Sequence, residues 1–238
     1  MLYKDKLIER AKEIGTLLDE FVETAFVNQS HQQDLFLILI NGLYEDSFMQ
    51  HANPYVYGTD WATLATQSFF DYIKWYTQNE SFTKEKSIKI KYPNPELELY
   101  KISIHTEKSI YLRYWEADTT LQFMYQLTRL CQGKHYDWKW RQNLAKSNSR
   151  QVFFENNIKQ PLIKVNKRMF EFLDATVIRQ IRNAIAHSQY CILNNDIKYL
   201  NYSDNPQKNA TIMLLKHEQW EDLSHGTIVF RNELTRVR

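Results

Sequence analysis

A mainly α-helical fold, with a small β insertion and C-terminal β-hairpin strands, is what this sequence predicts. Three observations point to it. Apolar residues recur at three- and four-residue steps over most of the chain. Strict alternation is confined to residues 86–116 and to the stretch after residue 190. Five glycines in 238 residues leave no room for a glycine-rich nucleotide-binding α/β fold. The length suits one elaborated domain over 1–238. Within it come N-terminal helices (1–80), the β insertion (86–116), a second helical region (118–190) and C-terminal strands (191–238).

Leu7, Ala11, Ile14, Leu18, Phe21 and Ala25 mark a long amphipathic helix over residues 3–27, with Lys4, Lys6, Glu9, Lys12, Glu13, Asp19 and Glu20 on its polar side. Asp34 is placed to cap a second helix reaching about Met49, its apolar block at 35–40 buried early. Pro54 and Gly58 then mark a loop, and Asp60 caps a third helix reaching Tyr76. Residues 87–92 alternate, Pro93-Asn94-Pro95 breaks the pattern, residues 96–104 alternate again, and 110–115 are rich in β-formers. Three short strands are therefore expected between 86 and 116.

Helix resumes at Asp118 or Thr119, with Leu121, Met124, Leu127 and Leu130 on one face, and stops at Gly133. Residues 134–150 are basic and polar with two tryptophans: Lys134, His135, Trp138, Lys139, Trp140, Arg141, Lys146 and Arg150. Basic residues interleaved with aromatics can grip single-stranded RNA by charge and stacking. The same pattern fits a solvated connection whose tryptophans fold back onto the core. Pro161 precedes a further apolar-periodic stretch with Ile163, Met169, Phe170, Phe172 and Leu173, and Asp174 caps or punctuates the next helical segment. After His187 the period turns to strand: 190–193, a turn at Asn194-Asn195, then 197–202. Residues 211–215 and 227–230 are read as two more strands.

The run Ile181-Arg182-Asn183-Ala184-Ile185-Ala186-His187-Ser188 carries the chemistry, near the end of a strongly helical segment. Four residues separate Arg182 from His187, which sets their directions about 140° apart on a straight helix. Asn183 and His187 share a face, and Arg182 lies beside it with a long side chain. A permanent cation, an amide and a group titrating near neutrality can thus converge on one phosphodiester. Arginine offers a donor fork to phosphate oxygens, and histidine moves protons at physiological pH.

This spacing resembles the Arg-x-x-x-x-His signature of the HEPN superfamily, small helical domains that include ribonuclease toxins and phage-defence effectors. The likeness extends to the polar residue after the arginine, to the small apolar residues between, and to the strands beyond the histidine; it is most specific over residues 170–190. It implies a HEPN-like bundle acting as a metal-independent endoribonuclease, a bacterial toxin or abortive-infection anti-phage effector. Arg182, Asn183 and His187 would be catalytic, and the products would carry 2′,3′-cyclic phosphate and 5′-hydroxyl ends. A homodimer with a composite site is implied, and an antitoxin or sensor is a possible partner. Arg179, Lys139, Trp140 and Arg141 are the candidate RNA contacts. Some HEPN toxins resemble a His-x-Tyr pattern in which a partner enzyme nucleotidylates the tyrosine. Here His187-Ser188-Gln189-Tyr190 is one residue longer, which favours Tyr190 as a packing residue.

Two blander readings stand beside this one. A cation and a histidine in a helix's last turn also suit the helix dipole, though that requires neither Asn183 nor the fixed spacing. A HEPN-like module without catalysis would bind RNA, nucleotide or protein through the same residues. Elsewhere the sequence offers little chemistry. It has no phosphate-cradling glycine loop, no Gly-x-Ser-x-Gly elbow, and seven histidines without metal-ligand spacing. No cofactor or metal is expected. Net charge of +2 puts any nucleic-acid contact in local patches. Cys131 and Cys191 read as reduced thiols, the charged first residues as no signal peptide, and the short apolar runs as no membrane span, so a soluble cytoplasmic protein is expected.

Overall fold

The computed structural model describes residues 3–39, 95–193, 196–200 and 214–237. Two N-terminal helices come first, α1 (Tyr3–Asn28) and α2 (Asp34–Leu39). Next in the chain are α3 (Pro95–Glu116), α4 (Asp118–Cys131), α5 (Trp140–Ala145) and α6 (Arg150–Phe154). A π-helical turn (Glu155–Lys159) joins α6 to α7 (Gln160–Val165), which leads into α8 (Lys167–Thr176) and α9 (Arg179–Ala186). Strands β1 (Tyr190–Leu193), β2 (Asp196–Tyr199) and β3 (Leu214–Leu215) precede the last helix, α10 (His217–Arg236). The described residues are thus mainly helical with one small antiparallel sheet of order β1-β2-β3.

The apolar stripe expected of α1 is its buried face: Ile14, Leu17, Leu18, Phe21 and Ala25 pack against α10 and α4. Its polar side ties it to neighbours, through Arg236–Asp19 at 2.8 Å and an ion pair of Arg168 with Glu20. Helix α4 is buried on more than the predicted face. Besides Leu121, Met124, Leu127 and Leu130 it sinks Thr120, Gln122, Phe123, Gln126 and Thr128, because α1, α2, α3 and α7 surround it. It ends as expected at Gly133, whose φ of +70° suits a residue without Cβ. The Gly133 and Lys134 amides close back on Leu130 and Arg129. Asp34 opens α2 but gives its carboxylate to the Tyr136 amide at 3.2 Å. The Gln29 side chain instead takes the orphan Leu35 amide at 3.0 Å. The expected continuation of α2 to Met49, the loop at 54–58, the helix at 60–76 and the strand at 87–92 lie outside the described residues.

Two expectations are overturned. Residues 96–104 and 110–115 are not strands: together they form α3, which starts at Pro95, a residue suited to a first helical turn. The buried set Ile104, Glu107, Lys108, Tyr111, Tyr114 and Trp115 has helical period. Packing against α10, α9 and α4 decides between the two patterns, overriding the local β-propensity of isoleucines and tyrosines. Residues 227–230 are likewise not a strand but the middle of α10, where Thr227, Ile228, Val229 and Phe230 are buried all round. A short apolar run buried on every side carries no period of its own. Trp115 Nε1 donates to Thr227 Oγ1 at 3.0 Å, and Trp220 Nε1 to Glu107 Oε2 at 2.7 Å, which locks α10 onto α3.

The hairpin pairs the two segments expected to form it, with β2 spanning Asp196–Tyr199 where 197–202 was expected; residues 201 and 202 lie outside the described residues. Tyr190 pairs with Tyr199 and Leu193 with Asp196, and β3 adds to β2 through Ile197–Leu215 and Lys198–Leu214. Of the strand expected over 211–215, residues 214 and 215 are the described part. No described helix is long and apolar enough to cross a membrane. Cys131 is buried and Cys191 half-buried, both as free thiols.

Candidate functional site

Helix α9 is short and sharply two-sided. Ile181, Ala184 and Ile185 are buried, whereas Arg179, Ala186 and His187 are exposed and Arg182 and Asn183 half-buried. The spacing therefore puts Arg179, Arg182, Asn183 and His187 on the side facing solvent. The start of α9 is fixed by Tyr111 of α3. Its hydroxyl donates to Thr176 O at 2.9 Å and accepts from the Ile178 amide at 3.1 Å, bridging the break between α8 and α9. Burial raises the Tyr111 pKa well above the usual phenol range, which keeps this bridge protonated.

The end of α9 is fixed by a main-chain cap. His187 is the C-cap residue, its amide on Asn183 O at 3.0 Å. Ser188 takes φ 53°, the left-handed conformation more often held by glycine. The Ser188 amide bonds Ile185 O at 3.2 Å and the Gln189 amide bonds Ala184 O at 2.7 Å, a Schellman closure. This cap uses no side chain of His187. Its imidazole is exposed and makes no hydrogen bond or ion pair among the described residues.

Arg182 is more committed. Its Nε lies 3.1 Å from Glu116 Oε1, at the end of α3, and its Nη2 is 3.4 Å from Asn183 Oδ1. The Glu116 contact has ion-pair distance without hydrogen-bond alignment, since Arg182 Nε has no hydrogen-bond partner. The Arg182 side chain is 18% exposed. The carbonyl of Glu116 accepts from Arg150, which also pairs with Asp118 at 2.7 Å. Arg182 and Arg150 thus flank the α3–α4 junction with two carboxylates between them.

Neither Glu116 nor Tyr111 was singled out by sequence, and Arg150 was named only within the basic segment. Glu116 and Tyr111 sit in the segment expected to be strands; read as a helix, Ile104, Lys108, Tyr111 and Trp115 form one stripe ending beside Glu116.

In the basic aromatic segment Trp140 takes the second of the two arrangements expected, folded back onto the core. Trp140 is 0% exposed and offers no face to a base. Its neighbours fold back as well: Tyr136 is buried, and Asp137 accepts from Tyr125 Oη (2.8 Å), Asn143 Nδ2 (2.6 Å) and the Lys139 amide (2.9 Å). Lys139 and Arg141 are exposed, with the Arg141 guanidinium 5.6 Å from the Trp140 ring. Trp138, 49% exposed, is the ring left on the surface, leaning on Tyr136 at 4.8 Å. Trp140→Ala is therefore expected to cost about 3–5 kcal/mol in denaturant unfolding, as for a buried large aromatic. Lys139→Ala and Arg141→Ala should fall within about 0.5 kcal/mol of wild type. A Trp140→Ala protein as stable as wild type, yet weaker in RNA binding, would restore the stacking role.

This chain matches no protein-family model, no curated protein and no solved structure. What the site can do rests on its own residues. Tyr190, three residues past His187, begins β1 with its hydroxyl 3.2 Å from His105 Nδ1, so it packs against α3. Among the described residues, no group of three His, Cys, Asp or Glu side chains is arranged to hold a metal. The site offers an exposed imidazole, a half-buried guanidinium and an amide along one helix face.

Proposed function

We propose that this protein is a cytoplasmic, metal-independent endoribonuclease of HEPN type, acting as a bacterial toxin or abortive-infection effector. The observation that carries this reading is the sidedness of α9. Arg182, Asn183 and His187 share its outer face, and Ile181, Ala184 and Ile185 hold its inner face in the core. His187 takes the proton of a ribose 2′-hydroxyl as that oxygen attacks the adjacent phosphorus. The phosphorus–5′-oxygen bond breaks, and a protonated group returns a proton to the leaving oxygen. Transfers of this kind supply about 10²–10⁴-fold. Arg182 binds the scissile phosphate through its Nη edge and stabilises the charge that builds there. Asn183 orients the Arg182 guanidinium or binds the phosphate beside it. Arg179, Lys139 and Arg141 would contact the strand.

One His187 supplies one proton-transfer group. The expected homodimer would bring a second across a two-fold contact, which needs one self-complementary patch per chain. An antitoxin or sensor would restrain such an enzyme.

One observation favours a different class, a HEPN-like binding module without catalysis. Arg182 already holds a carboxylate, so part of its charge serves to tie α9 to α3. Cleavage separates the two. Purified protein should cut RNA in excess chelator, and an RNA with a single 2′-deoxy residue at the cut site should resist. Binding of RNA without cutting would favour the module; cutting of the 2′-deoxy substrate, or activity restored only by magnesium, would reject the mechanism.

A further inference from the structure

Helix α3 buries a lysine among its apolar stripe. Lys108 is 1% exposed and its Nζ makes no hydrogen bond. The amine instead lies 3.4 Å from the centroid of the Tyr190 ring and 6.0 Å from that of Trp220. Buried ammonium groups are ordinarily paired with a carboxylate or fully hydrogen-bonded. A π face repays only part of the lost hydration.

Several titratable groups lie near this amine, none of them hydrogen-bonded to it. From α3 itself come Glu107, whose carboxylate holds Trp220 Nε1, and His105, which holds the Tyr190 hydroxyl. Strand β1 contributes the Tyr190 ring and the Cys191 thiol, and Tyr199 of β2 lies beyond Tyr190. Helix α10 carries a neighbouring cluster in which His225 faces Glu107, Glu221, Asp222 and Lys6 of α1, linked to the amine through Glu107. Burial is the dominant influence and lowers the Lys108 pKa to about 7, against smaller upward pulls from Glu107 and Cys191.

We propose that Lys108 is a proton-operated anchor for the segment that carries His187. With the amine neutral, Tyr190 seats on α3 and holds β1 in place. With the amine charged, the seat must bury an unpaired ammonium, and β1 loosens together with the turn from His187 to Gln189. Only its consequence for cleavage rests on the proposed ribonuclease function; the device itself concerns regulation of the same segment.

Linkage gives the sign. The seated form binds fewer protons than the open form, in which Lys108 returns to the ordinary lysine range. The seat is therefore strengthened as pH rises from about 7. One proton of linkage corresponds to a tenfold change per pH unit. Amide hydrogen exchange of β1 and β2, corrected for intrinsic rates, should report an opening constant that falls by up to about tenfold between pH 7 and pH 8 in the wild type. Lys108→Met fills the same space without a charge, and its opening constant should stay flat over that range. Should Lys108→Met fail to fold, the Lys108 Cε resonance of the wild type decides alone. A midpoint near 7 supports the anchor, and a midpoint above about 9.5 overturns it. Equal pH dependence in wild type and Lys108→Met also overturns it. Neither measurement uses RNA, so an inactive protein leaves the anchor standing and a failed anchor leaves the ribonuclease reading standing.

Discussion

Replacing His187 with alanine is expected to lower RNA cleavage by about 10²–10⁴-fold, the usual worth of one acid–base group. The thermal midpoint should stay within the scatter of surface substitutions. The imidazole is exposed and bonds to nothing described, and the cap that ends α9 is built from amides of residues 187–189. Alanine keeps that main-chain closure and adds no unpaired group. Unfolding of His187→Ala, or cleavage at the wild-type rate, would remove His187 from the mechanism. The same variant tests the composite site. Mass measurement in solution should give a homodimer. Mixing wild-type chains with excess His187→Ala chains should then extinguish most activity if each phosphate needs both histidines. Activity that falls only in proportion to the wild-type fraction would mean independent sites.

How much of the fold and site was legible in the sequence depends on how many neighbours each segment meets. Helix α1 was legible because it has one wet side, so Leu18, Phe21 and Ala25 leave a clean stripe. The hairpin was legible from alternation on either side of Asn194-Asn195 in the sequence. Helices α3 and α10 were not. Each buries polar side chains such as Lys108, Glu107, Thr227 and Arg231 among apolar ones, which blurs the 3.6-residue period and leaves β-like runs in view. Trp140 stayed open between two readings for a related reason: its basic neighbours are solvated, but the ring is buried. Spacing alone gives the positions of Arg182, Asn183 and His187 on α9. It does not give Glu116, because nothing local in sequence says that the end of α3 meets Arg182; that contact is made by tertiary packing.

The second large effect is expected at that contact. Arg182→Ala should lower cleavage by about 10²–10³-fold, the range seen when one donor to a developing oxyanion is removed. Unlike His187, this side chain is half-buried against a carboxylate, so a stability cost of about 1 kcal/mol is expected. The cost is modest because Glu116, 34% exposed, can recover water. Arg182→Lys should recover part of the activity at most, since an ammonium cannot span Glu116 and a phosphate with one planar fork. Glu116 separates positioning from strut. Glu116→Gln keeps an acceptor of the same shape near Arg182 Nε while removing a charge that repels phosphate, so KM should fall with kcat nearly unchanged. Glu116→Ala leaves the guanidinium unguided, and kcat should drop about tenfold or more, as misplaced catalytic groups do. If Arg182→Ala unfolds readily while the remaining folded protein cuts RNA normally, and both Glu116 variants change only stability, then Arg182 is a strut between α3 and α9. The phosphate would then need another cation, and Arg150, already at the α3–α4 junction, would be the next to replace.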